Sequence, residues 1–122
     1  MRLLLFAISL LALAGCTRPS GSYFARLTES EIIAIFSPKE SISGLPRDPK
    51  SGLFTVEINL NSDRVSLFSD LEKTKEAKGF FISQTITPFS LTIGSPEMNK
   101  KIVFKFPDAD TLRTGGDIEF KK

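Results

Sequence analysis

The chain has no histidine, no tryptophan, one cysteine and one tyrosine, and each shortage removes a class of chemistry. Without imidazole it lacks the commonest general base near neutral pH and the commonest nitrogen ligand for zinc, copper or iron. A single thiol, Cys16, excludes a disulfide within the chain. With Tyr23 alone, it has few side chains that offer sugars or peptides an aromatic face with a polar edge. Charge of one sign is scarce too: 16 Lys and Arg against 14 Asp and Glu leave a formal +2. That balance builds no strong field for nucleic acid or anionic lipid. No cofactor motif is present.

What is there is phenylalanine. Of 11 Phe, all but Phe6 lie beyond the amino-terminal apolar segment, where they suit a core better than polar recognition. The hydrophobic share of 41% and charged share of 25% are those of an ordinary globular protein.

Met1 and Arg2 give a positive start, and 3–14 is apolar except for Ser9. This is the layout of a signal peptide, and it is too short for a transmembrane helix, which needs about 20 apolar residues. Its end, Leu13-Ala14-Gly15-Cys16, resembles the lipobox of bacterial lipoproteins. The resemblance covers residues 1–17, and leaders of this kind precede many unrelated folds. It implies cleavage between Gly15 and Cys16, a diacylglyceryl group on the Cys16 thiol and, often, acylation of the new amine. Thr17 stands where, in enteric-type bacteria, an Asp would favour retention in the inner membrane. The expectation is therefore a lipid anchor in the outer membrane, facing the periplasm. Each buried methylene adds about 0.8 kcal/mol to such an attachment.

The predicted organisation is a leader over 1–15, a lipidated cysteine with a short polar tether over 16–22, and one domain over 23–122. Within it, 54–60 alternates apolar and polar residues, the sign of a strand with one buried face. Asn61-Ser62-Asp63 is turn chemistry and 64–68 reads as the returning strand of a hairpin. Further runs rich in β-branched and aromatic residues cover 80–86, 89–93, 102–106 and 118–120. The expected fold is an all-β antiparallel sandwich of about seven strands. One short helix or helical loop is expected over 71–78, where Ser69 and Glu72 fit a capping box and Gly79 a stop. Thr28 and Glu31 fit a second capping box, but the β-branched run at 32–36 before Pro38 favours a strand. The stretch 37–52, with three Pro and two Gly, is the longest irregular connection, pinned by Ile42 and Leu45.

Three clusters merit weighing. Asp108 and Asp110, with Asp117, offer oxygens to calcium, but a cation of that kind wants six to eight ligands and a polar turn explains them better. Asn59, Asn61 and Asp63 read as a solvated strand end running into a turn. Lys73, Lys75 and Lys78, with Lys100-Lys101 and Lys121-Lys122, read as solvated faces mixed with Glu72 and Glu76. No recognisable catalytic motif joins a nucleophile to a base. The sequence thus points to a non-catalytic envelope lipoprotein in a structural or protein-interaction role, with membrane lipid and an envelope protein as partners. The alternative is a carrier or sensor of a small apolar ligand held among the Phe side chains.

Overall fold

The computed structural model describes residues 19–70 and 75–122. The expected leader, with Gly15 and Cys16, and the stretch 71–74 lie outside the described residues.

The described residues form nine strands: β1 (Ser22–Leu27), β2 (Phe54–Asn59), β3 (Arg64–Phe68), β4 (Glu76–Phe81), β5 (Ser83–Ile86), β6 (Ser90–Gly94), β7 (Ile102–Asp108), β8 (Thr111–Arg113) and β9 (Glu119–Lys121). Among the described residues one helix, α1 (Glu29–Phe36), joins β1 to β2. The expected hairpin forms from β2 and β3, with Val56 opposite Leu67 and Ile58 opposite Val65.

All nine strands belong to one antiparallel sheet in the order β4-β3-β2-β1-β9-β8-β7-β6-β5. Its two edge strands, β4 and β5, are consecutive in the chain and separated by Ile82 alone. One residue cannot span a flat sheet of nine strands, so the sheet curls until its edges meet, as barrels do to remove open edges. The result is nearly closed and barrel-like. The expectation of antiparallel β-structure holds, whereas the two separate sheets and seven strands of a sandwich are replaced by a single curled sheet. The run 76–86 acts as one long strand that pairs with β3 in its first half and with β6 in its second. At the crossover the Ile82 amide donates to the Asp63 carbonyl (2.9 Å), and the Gln84 amide nitrogen donates to the Leu60 carbonyl (2.8 Å) and to Asp63.

The helix expected over 71–78 is not formed by its described part: Glu76, Ala77 and Lys78 lie in β4. The strand expected at 32–36 is instead α1. Both halves of the capping box form, Glu31 N donating to the Thr28 hydroxyl and Thr28 N to the Glu31 carboxylate. Ile32, Ile35 and Phe36 are buried while Ile33 and Ala34 are exposed, the i, i+3, i+4 pattern of a helix face. Five consecutive apolar residues after Glu31, 32–36, hide that period in the sequence. A left-handed Ser37 (φ 45°) ends the helix, its amide donating to the Ile33 carbonyl.

The barrel interior holds a chain of rings. Phe36 from α1 meets Phe80 and Phe120 edge to face, and Phe120 meets Phe104 likewise, with centroids 5.8 to 6.4 Å apart. Tyr23 belongs to the same core, so β1 begins at Ser22, inside the segment read as tether. Ile42 is buried and Leu45 half-buried, pinning the long connection as expected.

Candidate functional site

Counting β4 and β5 as one strand, successive connections alternate between the two ends of the barrel. At the end where the described chain enters stand the β2–β3 turn, the β5–β6 turn, the β7–β8 turn and Lys122. Hydrogen bonds tie this end together. Tyr23 Oη donates to the Ala109 carbonyl (2.6 Å) and accepts from Ser20 N, while Gly21 N donates to Asn61 Oδ1 (3.0 Å). Burial raises the Tyr23 phenol above its usual range, and the carboxylates of Asp110 and Asp108 push the same way against the Ser20 amide.

The acidic and amide clusters read from the sequence are absorbed by these turns. Asp108 Oδ1 accepts from Asp110 N (2.8 Å), while Asp117 sits in the β8–β9 turn at the opposite end. Asn59 Oδ1 accepts from Asn61 N and Ser62 N. Among the described residues no group of three or more acidic, His or Cys side chains converges as metal ligands would.

The lysines separate into two kinds. Lys78 pairs with Glu40 (2.9 Å), Lys121 with Glu119, and Lys122 lies over the Tyr23 ring. Lys75 has no carboxylate partner among the described residues, and neither do Lys100 and Lys101.

Lys100 and Lys101 line a groove of about 330 Å³ at the end of the barrel away from the chain entry. Ala34 and Ile35 of α1 form one wall, Lys100, Lys101 and Val103 a second, and the 114–116 turn with Ile118 the third. Val103 is 55% exposed, and the helix beside the groove also leaves Ile33 50% exposed. The fold builds this place by necessity. α1 must cap the barrel to bury Phe36, which leaves its opposite face at the rim, next to the loop between β6 and β7. The 37–39 segment clasps that loop, with Lys39 N donating to the Glu97 carbonyl and Asn99 N to the Ser37 carbonyl. Gly115 and Gly116 contribute a wall without side chains. Chemically the groove offers an apolar floor, two ammonium groups and accessible backbone, which suits an extended peptide that carries an apolar side chain and a carboxylate.

In the sequence Lys100-Lys101 read as part of a solvated face. The groove depends on α1, which the sequence favoured as a strand, so nothing local marked it. Ser22 Oγ donates to Glu57 (2.6 Å), and a carboxylate alone is a weak base for activating a serine hydroxyl. Among the described residues no helix is long and apolar enough to cross a membrane. No protein-family model, no curated protein and no solved structure is significantly similar to the chain.

Proposed function

We propose that this chain is an outer-membrane lipoprotein facing the periplasm, anchored through acylated Cys16, whose barrel-like domain is a non-catalytic interaction module. The Leu13-Ala14-Gly15-Cys16 pattern supports the anchor. The interaction reading is carried by the groove between α1, β7 and the β8–β9 turn, with its two unpaired lysines. Its partner is an envelope protein that presents an acidic, partly apolar segment. A carrier of small apolar ligands would need space among the interior rings, and Phe36, Phe80, Phe104 and Phe120 instead pack on one another. Binding therefore belongs to the surface groove.

A photoreactive residue at position 103, in the lipidated chain within its own envelope, tests this reading. The expected result is a discrete crosslinked protein that disappears when Lys100→Glu and Lys101→Glu are combined. Crosslinking indifferent to that charge reversal would overturn the groove assignment, as would turnover of an envelope substrate by the purified domain. For the anchor, labelled fatty acid should be incorporated into the native chain and not into Cys16→Ser.

A further inference from the structure

Phe89 is 83% exposed, the most solvent-facing large apolar side chain described. It follows Pro88 at the tip of the β5–β6 hairpin. Its exposure is built into the turn. Thr87 N donates to the Ser90 carbonyl (2.9 Å), and the Thr87 hydroxyl accepts from Phe89 N (3.2 Å) and Ser90 N (3.0 Å). Such a turn, in which one hydroxyl captures two amides that follow it, fixes the backbone that carries the exposed ring.

The strand alternation places this tip at the end of the barrel where the chain enters. Ser90 pairs with Lys105, three residues before β7 ends at Asp108, beside the β7–β8 turn that receives the Tyr23 hydroxyl. Pro19 is buried, and the next residue, Ser20, donates its amide to the Tyr23 hydroxyl at that end. Cys16 precedes Pro19 by three residues, a reach of about 10 Å at roughly 3.3 Å per residue. If Cys16 carries the acyl chains, the bilayer surface lies within that distance of the end that presents Phe89. Charges on this end are mixed, Lys105 and Lys122 standing among Asp63, Asp108 and Asp110. Attraction to anionic lipid is therefore weak, and apolar contact is what the tip has to offer.

We infer that Pro88 and Phe89 insert into the interfacial region of the membrane that holds Cys16, as a second contact that fixes the barrel upright with its groove facing away. The inference rests on the anchor reading above and names the surface that the proximal end touches. Zwitterionic lipid suffices for it.

The chain has no tryptophan, so Phe89→Trp introduces a single indole fluorophore at a site that tolerates it. The lipidated full chain carrying this substitution is reconstituted into phosphatidylcholine vesicles with brominated acyl chains. Val103→Trp, at the groove, serves as the distal reference. The expected result is a blue-shifted emission from the indole at position 89, quenched by about twofold or more over the indole at position 103, as for a side chain sunk into the acyl boundary. An unquenched Phe89→Trp chain that still floats with the vesicles overturns the inference and leaves the anchor reading standing. A native chain with no lipid mass on Cys16 overturns both. Equal quenching at both positions overturns the upright orientation, and a shift produced by envelope proteins but not by lipid assigns the tip to a protein partner instead.

Discussion

At the scale of single residues, the structure divides the phenylalanines in a way that composition does not. Phe36, Phe54, Phe80, Phe104 and Phe120 are buried, while Phe81 and Phe89 stand largely in solvent. Phe36 is the ring through which α1 is held, so Phe36→Ala should lower stability by about 3 to 5 kcal/mol, read as a reduced urea midpoint. Tyr23 differs because its ring is buried and its hydroxyl bridges Ser20 and Ala109. Tyr23→Phe should cost about 1 kcal/mol through the lost hydrogen bonds and the stranded Ala109 carbonyl. The phenol also carries a pH signature. Its ionisation is raised by burial above the ordinary 10.0, so the unfolded chain gives up the proton first. Stability should hold below that value and fall as pH rises past it, and Tyr23→Phe should flatten the fall. As the sole tyrosine, it can be titrated directly by phenolate absorbance.

At the scale of elements, α1 shows how a helix wins over β-branched composition. Propensity differences among Ile, Ala and Phe amount to a few tenths of a kcal/mol each, whereas the Thr28 cap contributes about 1 kcal/mol and the buried face more. Thr28→Ala should therefore destabilise the fold by about 1 kcal/mol and speed amide exchange in the first turn of α1 ahead of the strands. The capping box was visible in the sequence, yet the unbroken run after it hid the period that would have decided between helix and strand. In β1, Tyr23, Ala25 and Leu27 alternate with Ser22, Phe24 and Arg26, but the polar 17–22 stretch before it hides where the strand starts. The 71–78 expectation rests on the Ser69 cap and the Gly79 stop, whereas 76–78, within its described part, lie in β4. The described part of that run pairs with β3 instead, Lys78 standing opposite Leu67.

At the scale of the molecule, surface carboxylates set the acid limit. Glu119 is held below the ordinary 4.5, first by the Arg113 hydrogen bonds (2.6 and 2.9 Å) and then by that cation's charge. Glu76 is lowered by the Ser66 hydroxyl and by Arg64, and Glu40 by Lys78. Glu29 and Asp48 are lowered by Ser43 and Ser51, with help from Arg47 and Arg26. Groups lowered on folding lend stability above their unfolded values and lose it as pH falls through the folded ones. The urea midpoint should accordingly decline below about pH 4.5, less steeply in Glu119→Gln and in high salt, which screens exposed pairs.

The sequence by itself determined what is local: the β2–β3 hairpin and its turn, the strand cores, the Thr28 cap, the missing chemistries and the lipobox-like run that ends at Cys16. Each is a matter of neighbouring residues, and so each is written in consecutive letters. Only the tertiary structure decided that the sheet closes on itself, that 32–36 is helical and that Phe81 and Phe89 stay outside. It alone also brought Lys100-Lys101, α1 and the 114–116 turn together as a groove. Those outcomes depend on which distant segments meet when a single residue, Ile82, links the first edge of the sheet to the last. No local period records that meeting.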